Sequence, residues 1–280
     1  MKQNLINKKE CDMNILSTVK PWDCVAKGYS EVTMKVFQAY SEKALSMVEL
    51  DENSCILDNA CGPGTLALMI AGKIKQVDAV DFSQAMINIL NETINDNAIN
   101  NIKTHCCDAQ NLPCEDNCYD AAFSMFGLMF FPDRMKGYQE IYRTLKPGGK
   151  SIISSWAPTT DSPMQMAMFG AVRAIKPDLP EPQADIESLE NPDFFKEELT
   201  LSGFKDVDVL SVESGVKVDS IESFWVDMVK GSAPLAMMKN SMSEEEWQEK
   251  TYIALDYLKE TLTSLPTNLT AKAWLGVGVK

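Results

Sequence analysis

SCILDNACGPGTLALMIAGK, residues 54–73, decides the fold. Its first part is a short apolar run ending in an acid, its middle a turn holding Gly62, Pro63 and Gly64, and its last part an apolar stretch of helix formers. Strand, glycine turn and helix in this order open a parallel α/β sheet. The turn also leaves backbone N–H groups clear of side chains at a helix N-terminus, a shape that receives anionic or dipolar groups of a nucleotide. The alternation continues outward. A strand VDAVD at 77–81 precedes a helix from about Ser83 to Asn97, and a strand near 102–106 leads through a loop at 107–118 to the strand YDAAFSM at 119–125. A helix at about 133–145, closed by KPGG, is followed by the strand SIISSW at 151–156. Strands joined by helical crossovers predict a doubly wound α/β sheet covered on both faces.

Upstream of this unit Trp22, Val25, Ala26 and Tyr29 recur at i, i+3, i+4 and i+7, one face of a helix, behind a flexible leader at 1–20 with little periodicity. Downstream the composition changes. Pro158, Pro163, Pro177, Pro180, Pro182 and Pro192 surround one Met-rich helix near 162–175, which predicts a cap rather than a sheet unit. A helix at about 193–202 stops at Gly203 before the strand VDVLSVES at 207–214, and a helical stretch follows at 220–230. Ser243 with Glu246 forms a capping box for a helix running to about Thr263, and AKAWLGVGVK at 271–280 is a final strand.

Composition bounds the function. The 280 residues carry a net charge of −14, which repels polyanions, so nucleic acid and anionic membrane surfaces are not expected partners. With 45% hydrophobic and 24% charged residues the chain can bury a core. Neither a secretory signal nor an apolar run of membrane-spanning length is present, so the expected location is the cytoplasm, with no membrane insertion. The eight cysteines are then expected as reduced thiols. With no CxxC pair and a single histidine, His105, no metal site is expected either.

The first turn, Asp58-Asn59-Ala60-Cys61-Gly62-Pro63-Gly64, lacks the glycine spacing of a nicotinamide fingerprint. Asp81, at the end of the second strand, suits the vicinal hydroxyls of a ribose. ILDNACGPGT, VDAVDFSQAMI, HCCDAQNLP, YDAAFSMFGLMFFPDR and LKPGGK, in this order, resemble the successive motifs of the class I S-adenosylmethionine-dependent methyltransferases. The resemblance covers about residues 22–156 and is nearest to the small-molecule branch that includes the ubiquinone and menaquinone C-methyltransferases.

The resemblance implies S-adenosylmethionine as cofactor and a Rossmann-like sheet of seven strands, the last antiparallel and inserted beside the fifth. It implies that the turn from Ala60 through Gly62 to Gly64 passes the methionyl part, with Asp58 leading it, and that Asp81 holds the ribose. Asp108 and Ala109 would meet adenine, Phe82 and Met86 would pack on its ring, Met125 would lie beside the sulfonium, and Tyr29 would close over the cofactor from the first helix. Ala60 stands where the family more often has glycine, and its methyl is tolerable there if φ stays below zero. On this reading 21–280 is a single domain, with core segments 21–158, 193–218 and 264–280 and cap segments 159–192 and 219–263.

Met164, Met166, Met168, Phe169, Phe224, Trp225, Met228, Met237 and Met238 concentrate in the caps, where they line a shape-variable apolar pocket or fill the cap's own core. Ser124-Met125-Phe126-Gly127 replaces the Pro-Pro-aromatic signature of amino methyltransferases, so a small organic acceptor is expected, methylated at oxygen or carbon. No residue is assigned as general base, and His105 reads as a strand imidazole. Three alternatives stay open: a protein or peptide N-methyltransferase, a nicotinamide-dependent oxidoreductase on the same sheet, and a non-catalytic cofactor-binding protein. The oligomeric state is not read from the sequence.

Overall fold

The computed structural model describes residues 14–181 and 188–280. Helix α1, Val19–Gly28, runs through a π-helical turn, Tyr29–Thr33, into α2, Met34–Leu45. The sheet unit follows as β1 Cys55–Asn59, α3 Thr65–Ile70, β2 Gln76–Asp81, α4 Gln84–Asp96, β3 Ile102–Cys106, β4 Tyr119–Ser124, α5 Arg134–Thr144 and β5 Leu145–Trp156. Next come α6 Pro163–Ile175, α7 Pro192–Leu201, β6 Lys205–Val218, α8 Ile221–Gly231, α9 Ala233–Asn240, α10 Glu244–Thr261 and β7 Thr267–Val279.

The strand order is β3-β2-β1-β4-β5-β7-β6, with β7 antiparallel to both β5 and β6, as the resemblance implies. Alternation along the strands feeds two cores. Ile56, Ala79, Phe123 and Ile152 face Leu66, Ile70 and Leu90 on one side, while Leu57, Val80, Ala122 and Ile153 face Tyr138, Ile141 and Phe195 on the other. A third core sits in the cap, where α6, α8 and α10 close around Trp225 and Trp247, stacked with centroids 6.0 Å apart. Tyr40 of α2 donates its hydroxyl to Ala271 O at 2.7 Å and pins that helix to β7. The capping box is formed: Ser243 Oγ accepts from Glu246 N at 3.2 Å, and Ser243 N donates to the Glu246 carboxylate at 2.8 Å. Among the described residues no helix is long and apolar enough to cross a membrane.

Several sequence expectations change. The leader over 1–20 is described from residue 14 onward, and there it is fixed. Ile15–Ser17 forms a helical turn, Trp22 Nε1 donates to Leu16 O at 2.8 Å, and Ser17 Oγ donates to Phe130 O at 2.7 Å. Pro182 of the cap and Cys11 lie outside the described residues. KPGG does not end a helix outside the sheet but lies within β5, which starts at Leu145. The sixth and seventh strands are longer than the alternation suggests, because they pair with each other from Lys205 to Val218.

Ala60 has φ +58, not a negative value. An alanine in the left-handed region costs roughly 1–2 kcal/mol. The methyl finds room because residue 127 is glycine: a Cβ built there would sit 2.3 Å from Ala60 Cβ.

Candidate active site

The sheet reverses its winding between β1 and β4, since β2 and β3 lie to one side and β5 to the other. The carboxyl ends of strands at such a reversal are where open α/β sheets bind ligands. A chamber of about 440 Å³ opens there. Its wall brings together Tyr29, Asp58, Ala60, Gly62, Asp81, Phe82, Met86, Asp108, Ala109 and Met125. Gly64 lies behind the wall. It caps α3 at φ +89, and a Cβ there would meet Leu90 at 2.4 Å, so it serves the turn and the packing of α3 on α4.

Asp81 ends β2 and is buried. One carboxylate oxygen accepts from Gly62 N and the other from Ser83 N, both at 2.8 Å. A carboxylate has about four lone-pair directions, so each oxygen keeps one for a further donor. Burial, with the nearby Asp23 carboxylate, raises its pKa to about 6. Asp58 is buried too and accepts from Ala67 N at 3.1 Å, which ties β1 to the start of α3. It lines the chamber while doing so, and burial together with Asp81 lifts its pKa to about 7.

These shifts make stability pH-dependent. Both carboxyls have folded-state pKa values above the unfolded 3.8, so the unliganded fold binds more protons than the unfolded chain between about pH 4 and pH 7. Their contribution is then most favourable at low pH and falls as pH rises through 6 and 7. Asp58→Asn removes the larger share. Melting of the variant against the parent should show it gaining stability relative to the parent from pH 5 to pH 8, by up to about 3 kcal/mol. A difference that does not change with pH would contradict the buried, ionisable reading of Asp58.

Two places supply aromatic and polar wall residues that the sequence missed. Phe37 and Ser41 project from α2, and Phe126, Gly127 and Phe130 from the loop after β4. Tyr29 and Phe37 are eight positions apart, which a plain helix at 3.6 residues per turn leaves about 80° out of phase. The π-helical turn re-phases them, and their rings meet at 5.8 Å. Ser41 Oγ is buried in this wall without a partner among the described residues. Phe126 adopts φ +58, held by its N–H donating to Ser154 Oγ at 2.8 Å.

A second chamber of about 360 Å³ lies beside the first, between α2, α6, α8 and the start of α9. Trp22, Tyr29, Phe37, Phe126 and Phe130 line both. Their rings form a shared aromatic partition: Phe130 to Trp22 at 5.1 Å, Trp22 to Tyr29 at 6.4 Å, and Phe37 to Phe126 at 4.5 Å, with Trp156 at 4.2 Å beyond. Of the cap methionines and aromatics, Met164, Met168, Phe224 and Met228 line this chamber, whereas Trp225 belongs to the cap core and Met166 is exposed. Burial holds the Tyr29 phenol far above its ordinary pKa, so it stays neutral. His105 is a strand residue whose Nε2 lies 2.8 Å from Asp78 Oδ1. Each described cysteine is a free thiol.

A family model described as a methyltransferase domain matches residues 56–149. The chain is 29% identical over 124 residues to a demethylmenaquinone methyltransferase of Listeria welshimeri, covering 43% of this chain and 52% of the relative. To the enzyme of the same name from Desulfitobacterium hafniense it is 32% identical over 147 residues, covering 50% and 58%. The chain thus spans about half the length of the curated relatives it matches. Phosphoethanolamine N-methyltransferase 2 of Haemonchus contortus, solved in complex with S-adenosyl-L-methionine, superposes with a TM-score of 0.56 at 18% identity over 92% of this chain and 57% of that one, a likeness of fold. Residues 56–149 thus match a methyltransferase domain, and the strand order, with β7 antiparallel between β5 and β6, is the one that the resemblance to the class I S-adenosylmethionine-dependent methyltransferases implies.

Proposed function

We propose that the protein transfers a methyl group from S-adenosylmethionine to oxygen or carbon of a small, lipophilic acceptor. The observation that carries this is the pair of chambers, one polar at its strand-end wall and one apolar, meeting at a shared aromatic partition. The relatives named as demethylmenaquinone methyltransferases support a small-molecule acceptor. Nucleic acid does not suit a chain of net charge −14.

The first chamber fits the cofactor on three counts. Asp81 keeps a free lone pair on each oxygen for a ribose hydroxyl. Gly62, at φ +54, leaves open the space that a side chain would fill, its built Cβ meeting only Tyr29 at 3.9 Å. Ser41 Oγ supplies an uncommitted polar contact. Asp108 and Ala109 would meet adenine, with Phe82 and Met86 packed on its ring and Met125 beside the sulfur.

Bound there, the cofactor supplies a methyl carbon already activated by positive sulfur. The protein's task is then to align the acceptor and exclude water. The partition does both, since rings of Tyr29, Phe37 and Phe126 surround the junction of the chambers. No base is assigned, and the Tyr29 phenol, held neutral by burial, is not one.

Incubation with tritiated-methyl cofactor and a mixture of small apolar hydroxy compounds and proteins tests the reading. Label should partition into organic solvent. Label confined to acid-precipitated protein would overturn the small-molecule acceptor.

A further inference from the structure

The wall of the apolar chamber carries one polar atom that is both buried and without a partner among the described residues, Oε1 of Gln165 on α6. Two hydroxyls along that wall are engaged. Thr33 Oγ1 donates to Gly231 O at 3.1 Å, and Ser223 Oγ donates to Ser220 O at 3.1 Å. The charged groups of the wall, Lys217 and Asp227, are exposed, and Lys217 is paired with Asp219 at 2.6 Å. A carboxylate or phosphate inside would have no free counter-charge, and burying an unpaired charge is strongly unfavourable. A neutral amide oxygen, by contrast, offers two lone pairs to a neutral donor. Buried polar atoms are nearly always matched, so an unmatched one on a cavity wall points to the cavity's ligand.

We propose that the outer chamber selects neutral, apolar acceptors bearing one hydroxyl or N–H group, and that Gln165 is the specificity residue that accepts its hydrogen. This rests on reading the two chambers as those of a methyltransferase. Met164 and Met168 flank Gln165 on the same helix and supply adaptable apolar contact, so shape is read loosely and the donor strictly. A site built to bond a donor rejects an analogue that lacks it, because the site's own polar atom is then left unpaired. Gln165 touches the acceptor without moving a proton, and its role is recognition.

Binding of 2-naphthol, 2-methylnaphthalene and 2-naphthoate tests this, measured by calorimetry with saturating S-adenosylhomocysteine. The three share one apolar frame and differ in a neutral donor, no donor and a charge. Gln165→Met keeps side-chain length while removing the amide, and the S-adenosylhomocysteine titration of each sample reports that the cofactor side is folded. The expected result is that the affinity ratio of 2-naphthol to 2-methylnaphthalene falls about tenfold in the variant, with 2-methylnaphthalene unchanged and 2-naphthoate weakest in both. An unchanged ratio, tightest binding of 2-naphthoate, or no binding of any probe to protein that binds S-adenosylhomocysteine would overturn the role of Gln165 alone. Failure of S-adenosylhomocysteine itself to bind would overturn the methyltransferase reading beneath it.

Discussion

Replacing Asp81 with alanine should weaken S-adenosylmethionine binding by a hundredfold or more, on the order of two charge-assisted hydrogen bonds. The carboxylate is asked to do two things at once. It holds the turn by accepting from Gly62 N, and it holds the start of α4 by accepting from Ser83 N. Its remaining lone pairs are the only buried anionic acceptors beside Asp58 on this wall. The alanine variant loses the ribose bonds and leaves two backbone donors without their acceptor. Asp81→Asn separates these roles, since an amide keeps one oxygen but turns an N–H toward one of the donors. It should bind at an intermediate level, provided that its melting curve stays cooperative. Parent-like affinity in Asp81→Ala would place the ribose elsewhere.

Gly28→Ala should lower stability by about 3 kcal/mol or more and disturb the apolar chamber with it. Its φ of −64 suits any residue, so the conformation is not at issue. The space is. A Cβ at position 28 would lie 2.1 Å from Lys230 O and 2.8 Å from the same carbonyl carbon, and a backbone carbonyl in α8 cannot swing aside. The helices must part, and the next contact goes with them: Thr33 Oγ1 donates to Gly231 O at 3.1 Å, and a Cβ at 231 would lie 2.3 Å from Thr33 Oγ1. A melting temperature within about 2 °C of the parent would show that α1 and α8 are not packed as described. Binding of 2-methylnaphthalene should weaken in the same variant, while a chamber independent of this contact would leave it unaltered.

Much of the sheet is legible because its signals are local. Gly62 and Gly64 sit at positive φ where the turn needs them, Asp81 ends its strand, and the alternation of Ile56 with Leu57 sorts the two faces. What the sequence hides depends on long-range packing. The positive φ of Ala60 is accommodated by the glycine at 127, sixty-seven residues away, and a rule about alanine alone predicts the wrong sign. The π-helical turn leaves no pattern to read, so Phe37 and Ser41 cannot be aligned with Tyr29 by helical counting. Helix α9 is not among the helices expected from the sequence; Pro234 stands in its first turn, where proline fits a helix. Gln165 is one amide in a Met-rich helix, and only the cavity beside it gives that amide a meaning.

Calorimetric titration of the purified protein with S-adenosylmethionine and S-adenosylhomocysteine, with NADH as control, tests the central claim most directly. Micromolar binding of both sulfur compounds at pH 7.5, weakening as the pH is lowered through 6 where the buried carboxyls take up protons, is the predicted result. Tight binding of NADH with neither sulfur compound bound would contradict it and move the site to nicotinamide chemistry.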